Sequence, residues 1–300
     1  MKLRGRFTLT LALAALVPIT IAAVITSRVL TNRWRYNFNA TRAQATALVD
    51  REIKRLEDHV KDAAAALATV DQPFVGQLLL DLQKSSGVLN ADAQRRLRAQ
   101  AAQSMKGLSL DILTITGPDD VVLVSPHYRA RIGDPNPLPV VRQRAEATAG
   151  KPFFTRDSIW TGHTAETVLV VESAQVARDS GYAVAVVAGK RVSDDLLAYV
   201  RGPGTDARIV APNGEVILPP AGGDAAWQKL AKNPQIPMNG PDGKPVAFVE
   251  VAVSDGGLDQ TLFNITVASA LLALGALLAV VLIGALVARR AARDLDQLVE

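Results

Sequence analysis

Residues 114–126, TITGPDDVVLVSP, align without a gap on residues 208–220, RIVAPNGEVILPP. Ile115, Pro118, Val122 and Pro126 match Ile209, Pro212, Val216 and Pro220. Each stretch is two short β-type runs around a turn-rich tetrapeptide, Gly117-Pro118-Asp119-Asp120 or Ala211-Pro212-Asn213-Gly214. Gly, Pro, Asn and Asp in this order favour tight turns, and Asn-Gly is a strong hairpin signal. Each hairpin is followed by a helical pattern and then a further strand. The fold class read from this order is α+β, with two antiparallel sheet modules. Chance similarity of two hairpins is the competing explanation.

Around the first hairpin, the β-type runs are Leu110–Thr116 and Val121–Ser125. The loop Asp134-Pro135-Asn136-Pro137 leads to a helix near Pro139–Ala149, with Gly150 placed to cap it. Glu166–Val176 and Gly181–Val192 read as apolar strands, and Ser193–Val200 as a short helix. Gly202-Pro203-Gly204 marks a boundary. Beyond it come the second hairpin (Ala207–Ala211, Glu215–Leu218), a helix at Ala225–Ala231, a Gly/Pro-rich loop, and a strand at Lys244–Ser254. The distal module thus spans 74–200. The proximal module, 205–254, is expected to be a shorter sheet.

Before the first module, apolar residues fall three or four apart at Val49, Ile53, Leu56, Val60, Ala64 and Leu67, with charges on the other faces. This predicts a stalk helix over 39–70, stopped by Pro73. Helical patterns follow at Phe74–Lys84 and Ala91–Met105, with Asn90 placed as an N-cap.

Two segments lack any charged side chain, Phe7–Ser27 and Leu262–Ala288. About 20 apolar residues suffice to cross a bilayer core as a helix, so both are expected to be membrane spans. A cleaved signal peptide is the alternative for the first. Lys2, Arg4 and Arg6 on one side and Arg289, Arg290 and Arg293 on the other place both chain ends in the cytoplasm. Residues 28–261 are then extracytoplasmic, in a cell inner membrane protein. Arg28, Arg33 and Arg35 oppose this bias, although a long domain translocates largely regardless of charge.

The formal charge is +4, of which Lys2, Arg4 and Arg6 supply three. The central domain therefore lacks the basic footprint that nucleic acid requires. There is no cysteine, which removes disulfide and thiol chemistry. His59, His127 and His163 stand far apart in sequence, none with a second histidine or a cysteine three or four residues away, and no nucleophile motif is present. No catalytic residue, metal or cofactor is expected. The remaining candidate is a small-ligand pocket in the distal sheet, beneath lid loops at Tyr128–Asp134 and Phe153–Trp160. Tyr128, Arg131, Phe154, Arg156, Trp160 and Tyr182 are the candidate ligand-binding residues, with Arg129, Asp157 and Glu166 near them. Arginine forks suit an anionic group.

The order of elements resembles the double Cache family of bacterial extracellular sensors. Gly117–Val192 carries the resemblance: GPDDVVLVS, then Arg131-Ile132-Gly133-Asp134, then a helix closing with Gly150-Lys151-Pro152-Phe153-Phe154, then Ser158-Ile159-Trp160 and two strands. The resemblance implies two PAS-like antiparallel sheets hung on one long helix, in a homodimeric membrane receptor that binds a small molecule. The aromatic and arginine pattern of the family's amino-acid-binding members is missing from Pro137–Arg142, so that ligand class is not implied. Residues 289–298, RRAARDLDQL, resemble the start of a HAMP linker, with Asp294 where proline is usual. Such linkers most often lead to a histidine kinase; a chemoreceptor or cyclase output is the alternative within signalling. A membrane-anchored domain that binds another envelope protein is the alternative outside it.

Overall fold

The computed structural model describes residues 3–70, 73–135, 145–146, 150–179, 181–232, 235–254 and 258–296. It divides into two compact units, Met1–Arg42 with Ser254–Glu300, and Ala43–Val253.

The first unit holds most of two long helices. Helix α1 runs Leu3–Leu67, with Pro18 inside it, and its last part, from Ala43, belongs to the second unit. The expected stalk over 39–70 is therefore the C-terminal part of a longer helix that stops at Leu67. The last helix of the chain, α6, runs Leu258–Asp296. Among the described residues one segment is long and apolar enough to cross a membrane, Phe263–Leu286 within α6. The Phe7–Ser27 stretch is helical as part of α1.

In the second unit, α2 (Pro73–Lys84) and α3 (Ala91–Gly107) follow α1. Pro73 opens α2 at its first position, where a missing N–H costs nothing. Asn90 caps α3 as expected: its side-chain oxygen accepts the Ala93 N–H at 2.8 Å. The first sheet contains β1 (Ile112–Thr116), β2 (Val122–Val124), β3 (Phe153–Trp160), β4 (Ala165–Asp179) and β5 (Tyr182–Arg191). It is antiparallel throughout, in the order β2-β1-β5-β4-β3. A short helix α4 (Asp194–Ala198) leads to the second sheet: β6 (Thr205–Val210), β7 (Val216–Leu218), β8 (Ala231–Lys232), β9 (Ile236–Asn239) and β10 (Pro245–Val253). Its order is β7-β6-β10-β8, with β9 also on β10. Helix α5 spans Gly223–Trp227, between β7 and β8. One long helix and two antiparallel sheets is the arrangement that the double Cache resemblance implies.

The structure corrects three expectations. Phe153–Trp160 is an edge strand paired along its whole length with β4, not a lid loop. The helix expected at Ala225–Ala231 is shorter, because Trp227 turns into the core and Ala231 begins β8. The Gly/Pro-rich stretch before β10, expected as a loop, holds strand β9, so the proximal sheet has five strands, of which β7, β8 and β9 have four residues or fewer. The helix expected at Pro139–Ala149 lies largely outside the described residues.

The repeat is structural. In both hairpins the register shifts at the aligned step, Ile115/Thr116 and Ile209/Val210. The turns share their hydrogen bonds: Gly117 N–H to Val121 O and Ala211 N–H to Glu215 O, both 2.8 Å. Asp119 Oδ1 accepts the Val121 N–H, and Asn213 Oδ1 accepts the Glu215 N–H. Gly240–Lys244 repeats the same set between β9 and β10, with Asp242 Oδ1 on the Lys244 N–H. The fourth turn residue has positive φ each time: Asp120 at 61°, Gly214 at 87° and Gly243 at 80°. This is a turn closed by a left-handed residue, which Gly adopts freely and Asp tolerates.

One continuous core joins the sheets to α1. Val49, Val60, Ala64 and Leu67 pack with Leu113, Ile115, Val171 and Val186 of the first sheet and Ile209, Val249 and Val251 of the second. Burying one such side chain contributes about 1.5–3 kcal/mol. The opposite face of the first sheet carries Ile112, Val168 and Val170, with Ile159 against them.

Candidate functional site

Strand alternation decides which side chains share that second face. The pairings Asp157↔Val168 and Val170↔Arg191 set Asp157 and Ile159 of β3, Val168, Val170 and Glu172 of β4 and Arg191 of β5 on one side. The segment leaving β2 crosses to the far edge of the sheet, where the Trp160 N–H donates to His127 O at 3.0 Å. It then turns through a 3₁₀ helix at Arg129–Arg131 and returns to β2, where the Val122 N–H bonds Asp134 O at 2.9 Å.

A cleft of about 820 Å³ opens at this end of the sheet. Met105, Leu110, Pro126, Ile159 and Trp160 form an apolar wall, and His127, Tyr128, Arg129, Asp111 and Arg191 supply the polar groups. Trp160 is 50% exposed, so much of its indole faces open space. Arg191 reaches Glu166 at 3.1 Å, while its own N–H bonds Asp111 Oδ2 at 2.9 Å.

Behind the cleft lies a buried polar cluster. His127 Nδ1 stands 3.3 Å from Leu113 N and 3.2 Å from Leu113 O. Its Nε2 is buried without a hydrogen-bond partner, 3.7 Å from Asp157 Oδ2. Asp157 Oδ1 accepts from the Arg131 guanidinium and, at 2.7 Å, from the Ser158 N–H. Burial would raise the Asp157 carboxyl, but His127, Arg131 and the Ser158 N–H outweigh it and hold it down at about 2. Glu172 is 2% exposed, with Oε2 unpartnered. Burial first, then the Asp157 charge, push its carboxyl well above the ordinary range, and Arg131 only partly opposes them. Glu172 therefore holds its proton to higher pH than an ordinary carboxyl, while Asp157 is ionised at neutral pH. Gly189 makes room for it: a Cβ there would lie 3.0 Å from Glu172 Cγ and 3.0 Å from Ile112 Cβ.

The six candidate residues separate into different places. Tyr128 and Trp160 line the cleft. Arg131 lies beside it, its guanidinium 5.1 Å from the Tyr128 ring centre and committed to Asp157. Phe154 is buried in the main core. Arg156 points to Glu215 at 3.4 Å, in a smaller cleft of about 160 Å³ shared with β7. Tyr182 packs on the main core near Gly87. Of the neighbouring residues, Arg129 lines the cleft, Asp157 belongs to the buried cluster and Glu166 to the Arg191 pair. Sequence reasoning missed His127, Asp111, Met105, Leu110, Ile159, Arg191 and Glu172. Only Glu172 carries a local signal, a lone acid inside the apolar run Val168–Ala174. Among the described residues no group of three or more His, Cys, Asp or Glu is arranged to hold a metal ion.

No family model and no curated protein matches the chain. Solved structures with a similar layout include the sensor domain of the Vibrio cholerae histidine kinase DctB, at TM-score 0.48 and 10% identity, covering 74% of this chain and 98% of that one. The periplasmic domain of Vibrio cholerae LuxQ aligns at TM-score 0.48 and 9% identity over 71% of this chain and 98% of that one. The ligand-binding domain of the Pseudomonas aeruginosa chemoreceptor PctC, in complex with GABA, aligns at 0.44 and 16% over 73% and 100%. Likeness at this level does not say what this chain binds.

Proposed function

We propose that the chain is the sensory input module of a transmembrane signalling receptor, with residues 28–261 outside the membrane and a small molecule in the cleft at Trp160. The observation that carries this reading is the cleft itself: concave, mostly apolar, with a few convergent polar groups, as small-ligand sites are. In this reading Phe7–Ser27 and Leu262–Ala288 cross the inner membrane, residues 289–300 begin a HAMP-like linker, and two copies pair side by side. The output is a histidine kinase. The ligand carries an anionic group directed at Arg129, and its binding favours one arrangement of the first sheet. Equal affinity for two arrangements would shift nothing, so the ligand must distinguish them.

The test is a thermal-shift screen of the detergent-solubilised chain against small organic acids, amines and neutral metabolites, with Trp160→Ala and Arg129→Ala as controls. Saturating ligand at 100 times its Kd adds about 2.7 kcal/mol, a shift of several degrees. That shift should vanish in both variants. A screen with no shift, or a shift that both variants retain, overturns the reading of this cleft as a ligand site.

A further inference from the structure

The N-terminal 49 residues contain no Asp or Glu; the first acid is Asp50. Within this stretch Arg28, Arg33 and Arg35 follow directly on the apolar run Phe7–Ser27. All three are exposed on α1, and none forms an ion pair with another described residue. Trp34, Tyr36 and Phe38 lie among and just after them, within the roughly three turns of residues 28–38. Trp34 and Phe38, one turn apart, stack with ring centres 5.0 Å apart and planes 15° from parallel, while Tyr36 is 75% exposed. Arg28 and Arg35 are seven residues apart, hence on one side of the helix.

We propose that Arg28, Arg33 and Arg35, with Trp34, form a docking surface for anionic phospholipid headgroups on the outer face of the membrane. The proposal rests on Phe7–Ser27 being a membrane span, and adds to that reading which lipids surround it. At about 1.5 Å of rise per residue, residues 28–35 lie roughly 1.5–12 Å beyond Ser27. The headgroup layer extends about 5–8 Å past the hydrocarbon on each side. Arg28 lies within that depth, and the longer-range Arg33 and Arg35 reach back to it by bending along their own stems. The Trp34 indole, apolar with one polar N–H edge, is of the type that prefers the same layer. The charge fits as well. Three uncompensated arginines beside a span oppose the usual bias toward basic residues inside. Phosphate groups are partners of the opposite sign, and the guanidinium fork takes them in two bonds.

The experiment uses the full chain in nanodiscs of phosphatidylcholine with about 30% phosphatidylglycerol, beside the triple variant Arg28→Gln, Arg33→Gln, Arg35→Gln. After gentle detergent extraction, the phosphatidylglycerol-to-phosphatidylcholine ratio retained by the protein is measured by mass spectrometry. Each arginine near a charged surface contributes about fivefold to the preference. The wild-type chain should therefore be enriched several-fold in phosphatidylglycerol, and the triple variant should approach the bulk ratio. The enrichment should weaken in 0.5 M salt, because exposed charges are screened. A wild-type ratio equal to bulk, or an enrichment that the triple variant keeps, overturns the headgroup surface and leaves the span intact. If the 1–42 fragment, cut from the full chain by protease after insertion into vesicles, is stripped by carbonate, the span and the surface are overturned together.

Discussion

Replacing Glu172 with Gln should make the protein more stable at neutral pH, and the gain should grow as the pH rises. In the unfolded chain this carboxyl titrates near its ordinary value of 4.5, whereas in the fold burial and Asp157 keep it protonated well above that. Between the two values the native state holds one proton more than the unfolded state. The stability linked to Glu172 is thus fully present below 4.5 and falls as the pH rises toward the folded value. One proton corresponds to about 1.36 kcal/mol per pH unit. Asp157 adds no slope there, since with a folded value of about 2 it is ionised in both states. Gln fills the same space and does not titrate. The difference in unfolding free energy, variant minus wild type, should therefore grow by about 1.4 kcal/mol per pH unit above the unfolded value, for as long as the folded carboxyl keeps its proton. Urea titrations followed by the emission of the buried Trp227 measure it at each pH. Parallel stability profiles for the two proteins would refute a protonated Glu172.

Asp157→Ala leaves the Arg131 guanidinium, only 16% exposed, without its partner, and should cost about 3–5 kcal/mol at neutral pH in the same titration. That loss should narrow as the pH falls from 3.8 toward 2, because the wild type then loses the charge that made the pair. Phe154→Ala opens a cavity in the main core and should lower the unfolding free energy by about 3–5 kcal/mol. Trp160→Ala, half exposed six residues further along the same strand, should change it by less than about 0.5 kcal/mol.

Most of the scaffold was legible because its signals are local. The hairpins announced themselves through Pro118-Asp119-Asp120 and Pro212-Asn213-Gly214, and the aligned bulges show that the repeat extends to the backbone. The third copy, Gly240-Pro241-Asp242-Gly243-Lys244, has the same residues but precedes its longer strand and follows β9, which contains Pro237 and only four residues. That strand was hidden by its brevity. Strand β3 was hidden for another reason. Thr155-Arg156-Asp157-Ser158 reads as a solvated loop, yet Asp157 is buried against Arg131, 26 residues earlier in the chain. A polarity pattern cannot register a charge whose partner arrives through tertiary structure. The same limit scattered the candidate site. Phe154, Arg156 and Tyr182 were of suitable type, but strand register sends Phe154 to the core and Arg156 to Glu215. Trp160 and Tyr128 remained because a strand end and the segment after β2 meet at one backbone hydrogen bond.

The inner part of α1 has a mechanical consequence. Val49, Ile53 and Val60 are seated in the core, and the next residue along the chain is Asp50, Lys54 and Lys61 in turn. Sliding the helix by a single residue would twist it by about 100° and drive those three charges into apolar sockets. The rod is keyed to its housing like a splined shaft: it turns and travels with the folded body, or it does not travel at all.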